Sequence, residues 1–349
     1  MKSSLVFFSL LTCFCVFAQI PSYYSSINFS QTGLPLKNQL ATLITNTHTT
    51  PISYSDVWNV LVASDLDPTN STVVLLAYGY DDSDGSVIND RTRDKNNNGG
   101  SNGQWNREHT FAQSLGNPAL GTVGPGSDAH NLRSSDVQMN GDRGNKLFAT
   151  GSGTATTVGA NWYPGDEWKG DCARIVMYMY LRYNLQCRPI YVGVGTANAV
   201  DANMVNLFLD WNAADPVSQL EKNRNNIIQT WQGNRNPFID NPYIATKIWG
   251  GTPAEDTWGG LGFTKEEASE QFSIYPVPAI GHQFYVHTLS ENRINAISIF
   301  GIDGKLISEI QLNSVNSNLV HITDVPSGIW LVRIVAENGN TSIKKVIVN

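Results

Sequence analysis

Trp105-Asn-Arg-Glu108-His109-Thr-Phe111, then Ser127-Asp-Ala-His-Asn131-Leu-Arg133, then Asn140-Gly-Asp-Arg-Gly-Asn145: the reading of these three stretches decides the fold. The first reads as a strand, Trp105 to Phe111, and the second as the strand that returns along it, Asp128 to Arg133. Ser135-Asp-Val-Gln138 has the spacing of a capping box, which predicts a helix from Asp136 with Asn140 on its second turn. Gly141 and Gly144 inside that helix cost about 1 kcal/mol each against Ala. They predict that something approaches the backbone closely there.

Two strands and a helix would then bring a carboxylate, an imidazole and an amide oxygen together. Glu108 and Asn140 supply oxygen ligands for one hard cation, with the other positions left to water and substrate. This suits Mg2+, or in its place Mn2+ or Ca2+. His109 titrates near neutrality and can take a proton from water. Neighbours on a strand face opposite sides, so Glu108 and His109 can serve one site only if the strand ends or turns there. A cation plus an activated water is what phosphodiester hydrolysis requires. Arg107, Arg133, Arg143 and Arg174 are candidate phosphate contacts. Arg143 and Arg174 rank first, because each lies in or beside a segment of the expected site. His130 reads as a hydrogen-bonded structural residue.

Around this centre the chain is mostly helical. Leu36 to Thr47 and Asp56 to Ala63 have helical apolar spacing, the second capped by Ser55. Ser71 to Tyr78 is a buried strand, and Asp81 to Gly103 a polar loop. In that loop Asp94, Asn96, Asn98 and Gly99 match half of a calcium loop, but Trp105 stands where the closing Glu belongs. The stretch therefore reads as a solvated turn. Further helices are expected over Glu167 to Tyr183, Asn203 to Trp211, Val217 to Trp231 and Tyr243 to Trp249. From Phe272 onward short alternating segments recur between turn residues, which predicts a small antiparallel β-sandwich. The fold class is thus α+β, with a linker over 252–271 between residues 19–251 and the C-terminal sandwich at 272–349.

Residues 1–18 have a positive start, a short apolar run and small residues before Gln19, the pattern of a secretory signal peptide. The run is too short to span a membrane. The net charge of −7 argues against tight groove-tracking of nucleic acid. A hydrolase that docks one or two phosphates on a metal remains open to it, and such an enzyme depends strongly on its cation. Cys13 and Cys15 leave with the signal. Pairing Cys172 with Cys187 would require the chain to fold straight back along the helix, so two buried free thiols are favoured.

The three quoted stretches, with Gly170-Asp-Cys-Ala-Arg174, Met177-Tyr-Met179, Arg182-Tyr183 and Asn236-Pro-Phe-Ile-Asp240, resemble the secreted bacterial endonuclease I family over roughly residues 36–250. The resemblance implies a ββα-metal (His-Me finger) site. It places the catalytic base on His109, the metal ligands on Glu108 and Asn140, and the substrate as DNA, often RNA, cut to 5′-phosphate ends with little sequence preference. Better-known members carry several disulfides, and some carry a phosphate-binding Arg between the motif halves; no Arg lies between His109 and Arg133. Tyr275-Pro-Val-Pro278, Ile299-Phe-Gly-Ile-Asp-Gly304, Pro326-Ser-Gly328 and Lys344-Lys345 resemble a type IX secretion sorting domain. That implies the type IX secretion machinery as partner, passage to the cell surface or medium, and removal of the module afterwards. A monomer without stable membrane insertion is expected. Alternative readings are a non-catalytic surface protein on the same scaffold, and a diesterase restricted to RNA or small diesters.

Overall fold

The computed structural model describes residues 20–261, 272–288, 293–312, 318–337 and 341–349. The signal segment and the second half of the expected linker lie outside them. The chain forms two compact units that divide near residue 262.

The first unit mixes helices and short strands. Its helices are α1 (Gly33–Thr47), α2 (Val57–Ser64), α3 (Val137–Arg143), α4 (Lys169–Tyr183), α5 (Asn206–Ala214), α6 (Gln219–Gln232), α7 (Pro237–Asp240) and α8 (Tyr243–Trp249). Its strands are β1 (Leu66–Asp67), β2 (Asn70–Leu75), β3 (Thr92–Asp94), β4 (Trp105–His109), β5 (Leu132–Asp136), β6 (Thr156–Val158) and β7 (Asn161–Tyr163). Helix α4 is the axis of the unit: every residue from Gly170 to Leu181 is buried, and α1, α5, α7 and the turn before β5 pack around it. A helix covered on all sides is a core helix. Met177, Met179, Phe148, Phe208 and Trp249 fill the space around it.

Strand β4 pairs antiparallel with β5, Glu108 opposite Arg133 and His109 opposite Leu132, and α3 follows directly. The return strand is shorter and later than expected, because Ala129–Asn131 forms a 3-10 turn. Asp128 caps that turn by accepting from the His130 amide at 3.0 Å. The cap of α3 also moves by one residue. The Asp136 carboxylate, not the Ser135 hydroxyl, accepts from the amides of Gln138 and Met139. Both residue types cap helices; only the backbone torsions decide which one sits half in. Similarly, α2 is preceded by a reciprocal pair, Ser53 with Asp56, rather than by a Ser55 cap.

Two expectations about backbone approach change. A Cβ at Gly141 would meet no protein atom within 4 Å, so no neighbour crowds the helix there, and Gly144 ends α3 with φ +52°. Strand β2 stops at Leu75, and the chain passes through Tyr78 at φ 73°. That left-handed conformation costs a non-glycine residue about 1 kcal/mol. Gly79 follows because a Cβ there would lie 2.1 Å from the Asp90 carbonyl oxygen. In the polar loop Asp94 accepts from the Asn96 amide, closing the turn on itself. Residues 252–261 are no free spacer: Trp258 and Leu261 are buried in the first core.

The second unit contains β8 (Phe272–Ile280), β9 (Gln283–Thr288), β10 (Ile294–Gly301), β11 (Leu306–Gln311), β12 (Leu319–Ile322), β13 (Gly328–Ala336) and β14 (Thr341–Val348). The expected sandwich is instead one curled order, β11-β10-β13-β14-β8-β9-β12, in which β14 and β8 pair in parallel. Phe284, Val286, Ile297, Ile299, Val332 and Ile334 share one core. Among the described residues no helix is long and apolar enough to cross a membrane.

His130 is buried against the Tyr178 ring at 4.5 Å, and its Nε2–H donates to the Asn234 carbonyl. Burial pushes its pKa down from 6.5 to about 4, against the pull of Asp128. The unfolded chain therefore binds a proton between these values that the fold refuses. Stability is expected to fall by about 3 kcal/mol as pH drops from about 6.5 to about 4. Urea midpoints across that range should lose much of this slope in His130→Gln; an unchanged slope would contradict the assignment.

Candidate functional site

The site forms where β4 ends. Asn106 and Glu108 share one face of the strand, and α3 lies over it. The Asn140 amide donates to Asn106 Oδ1 at 2.7 Å, and Arg143, one turn on, reaches Glu108 Oε1 at 3.3 Å. Asn140 and Glu108 are therefore held on neighbouring rungs between one strand and one helix. Glu108 Oε1 also accepts from the Tyr78 hydroxyl at 2.8 Å, which explains the turn that delivers Tyr78. Glu108 is 2% exposed. Burial raises its pKa, partly offset by Arg143 and Tyr78.

His109 projects to the other side. Its ring stacks on Tyr54 at 5.7 Å, and its Nε2 lies 2.9 Å from the Gly126 carbonyl oxygen. A carbonyl only accepts, so the proton sits on Nε2 and Nδ1 keeps its lone pair. Burial lowers the pKa of the ring, which retains 9% exposure. Gly126 is required at this point: a Cβ would lie 1.9 Å from the Gly121 carbonyl oxygen. Behind His109, Asn131 braces the chain by taking the Phe111 amide at 2.8 Å and donating to the Phe111 carbonyl at 3.2 Å.

The arginines sort by burial. Arg143 is 1% exposed and donates to the carbonyls of His109, Thr110 and Gly144. These bonds tie the end of β4 to α3. Arg174 is fully buried on α4 and forks onto Glu221 at 2.5 and 2.8 Å, with a further bond to the Asp215 carbonyl. In this arrangement its donors face Glu221, Asp215 and Asn212 inside the core rather than the end of β4. Arg133 is buried too and donates from Nη1 to Asp171 at 2.7 Å, while its Nε and Nη2 have no hydrogen-bond partner. Arg107, ranked lower from sequence, is the half-buried one of the four. It shares the His109 side of β4, lies 3.7 Å over the Tyr54 ring and 4.3 Å from Trp58, and donates to the Tyr54 carbonyl. Sequence reading missed Asn106, Tyr78, Tyr54 and Gly126. Of these only Asn106 carried a signal, its i, i+2 spacing from Glu108.

The donor set fits a hard cation. Asn140 Oδ1 accepts no hydrogen bond from the described residues, and the Glu108 oxygen away from Oε1 takes no side-chain hydrogen bond. Among the described residues no group of three or more His, Cys, Asp or Glu is arranged to hold an ion. The pair would thus provide two oxygens and leave the rest to water and phosphate.

Residues 32–243 match the Endonuclease I family, and residues 273–349 match the Secretion system C-terminal sorting domain. An extracellular ribonuclease of Bacillus amyloliquefaciens is 40% identical over 244 residues, covering 66% of this chain and 79% of its own. An extracellular ribonuclease of Bacillus subtilis (strain 168) is 40% identical over 245 residues, covering 67% and 80%. The protein is a secreted nuclease. The chain belongs to the Endonuclease I family and carries a secretion sorting domain after it.

Replacing Arg174 by Met leaves Glu221, 2% exposed, without its partner. Unpairing a buried charge costs about 3–5 kcal/mol. Urea unfolding should show a loss of that size; a stable variant with a normal midpoint would return Arg174 to the list of phosphate contacts.

Proposed function

We propose that this protein is a divalent-cation-dependent endonuclease, with Mg2+ as the expected ion, that hydrolyses phosphodiester bonds of DNA and RNA to 5′-phosphate ends. The observation that supports it most is the rung pair Asn106–Asn140 and Glu108–Arg143 beside an imidazole with one defined tautomer. The names of the two Bacillus relatives favour RNA as a substrate.

In this reading Glu108 and Asn140 hold the cation. When bound, it would offset charge on the five-coordinate phosphorus and acidify a water for the leaving oxygen. His109, its Nε2–H held by Gly126, takes the proton of the attacking water on Nδ1. Glu108 and His109 face opposite sides of β4, so the scissile phosphate straddles the strand end. Arg107 fills the place of the missing arginine and contacts the phosphate from the His109 side. Asn106 orients the Asn140 amide, and Arg143 ties the strand end to α3. The acidic chain gives little long-range attraction for a polyanion, so binding at the centre rests on the cation and Arg107. The C-terminal unit takes the enzyme to the type IX secretion machinery and is removed afterwards.

Plasmid and RNA cleavage should vanish in EDTA and return with Mg2+. His109→Ala should abolish cleavage while calorimetry still detects the cation; full activity in that variant would refute the base. Asn106→Ala should weaken cation affinity by about 10–100-fold, as loss of an orienting partner does, with rate recovered at high Mg2+. Arg107→Ala should lower kcat by roughly 10²–10³, the usual cost of one transition-state donor. An unchanged kcat would remove Arg107 from the site.

A further inference from the structure

Five planar groups meet along the His109 side of β4. Trp105, Arg107 and His109 come from the strand, where every second residue shares a face. Tyr54 and Trp58 come from the chain that enters α2. They stand four residues apart, and the amides of Asp56 and Val57 close a turn onto the Ser53 carbonyl between them, so both rings lie toward one side. The two sets alternate. The Trp58 ring lies 5.3 Å from that of Trp105, and the Arg107 guanidinium 4.3 Å from Trp58. The same guanidinium lies 3.7 Å over Tyr54, whose ring stacks on His109 at 5.7 Å and 21°. The order of contact is Trp105, Trp58, Arg107, Tyr54, His109.

Strand geometry explains that order. Residues on one face of a strand stand about 6.8 Å apart. Atoms in contact need about 3.5 Å per layer, so the gap between two strand side chains admits one flat ring. One turn of helix rises about 5.4 Å, which carries the second ring near the second gap.

Tyr54 thus touches both groups that the nuclease reading uses on this side of the strand. Neither is held in its plane by hydrogen bonds. Among the described residues Arg107 makes one, to the Tyr54 carbonyl, and forms no ion pair. His109 is tied at Nε2 to the Gly126 carbonyl, and one such bond lets a ring swing about it. The flat face of Tyr54 removes that freedom from both. Its hydroxyl has no hydrogen-bond partner among the described residues, so the ring makes the contacts.

We propose that Tyr54 is a positioning residue: its ring spaces the His109 imidazole from the Arg107 guanidinium and fixes both planes at the end of β4. Trp58 backs the Arg107 side. The roles of the two neighbours rest on the nuclease reading. The spacer reads no base and adds no sequence preference.

The test uses the full-length protein with Mg2+ and RNA or plasmid. Tyr54→Leu removes the ring and keeps the backbone carbonyl that Arg107 uses. It should lower kcat about 10–100-fold with KM little changed, because misplacing reacting groups by about 1 Å costs up to about 10²-fold. Tyr54→Phe should restore most of that loss. Since one ring serves both neighbours, Tyr54→Leu should cost less in an Arg107→Ala background than alone. The NMR signals of the His109 ring protons should move in Tyr54→Leu and stay in place in Tyr54→Phe, without substrate. A folded Tyr54→Leu with undiminished kcat would overturn the spacer. So would an equal loss in Tyr54→Phe, which would give the effect to the hydroxyl. Should Tyr54→Leu not fold, Trp58→Leu decides: a lower kcat with unmoved His109 signals supports the column, and an unchanged kcat overturns it. Absence of any cleavage by the unsubstituted protein would overturn the nuclease reading itself.

Discussion

A single buried guanidinium holds the functional end of this fold together. Arg143 binds the carbonyls of His109 and Thr110 and the carboxylate of Glu108 at once, and lies 4.9 Å from the Phe148 ring. A cation removed from water is tolerable only when its charge is answered and most of its hydrogen bonds are met; here both Nη atoms are bonded and Nε alone has no partner. Here the answer is the edge of a strand that has run out of ladder partners. The carbonyls left over where β4 ends become ligands of the helix that follows β5. The distance between strand and helix is set by one planar group, the tolerance that the proposed two-oxygen cation clamp would need.

Behind this end lies a second layer of buried charge. Asp65 takes the Ser134 amide at 2.7 Å and pairs with Arg224. Arg133 bridges to Asp171, and Arg174 to Glu221, which also closes the capping box that begins α6. Such pairs add little net stability compared with apolar packing. Their geometry is directional, however, and each joins a helix to the strand pair or to another helix. Rigidity at the site is therefore supported from behind by bonds whose angles are fixed, rather than by side chains that can repack.

The parts of this arrangement legible in the sequence are those encoded within a few residues. Glu108, His109 and Asn140 could be read because carboxylate, imidazole and amide stand beside recognisable strand and helix signals. Helix α8 begins and ends where its periodicity says it should. The rest depends on contacts far apart in the chain. Arg174 reads as a site residue because it lies in or beside a segment of the expected site, but its partners Asp215 and Glu221 lie more than forty positions away. Ser135 and Asp136 are both good caps, and only the φ and ψ at the junction separate them. Strand β11 carries no alternation because its residues are nearly all exposed at a sheet edge, and β8 is broken by prolines that only an edge or bulge accepts. Gly126 could not be found at all, since its necessity comes from a carbonyl five residues earlier folding back onto it.

Cys172 and Cys187 are both free and sit in the main core. Burial pushes both thiols well above their ordinary range, so neither is a ready nucleophile. The cohesion of the first unit thus owes nothing to oxidation between its two described cysteines. Its folding has no need of a disulfide-forming catalyst, and the folded enzyme should be as much at home in a sulfide-rich, anoxic medium as in an aerated one.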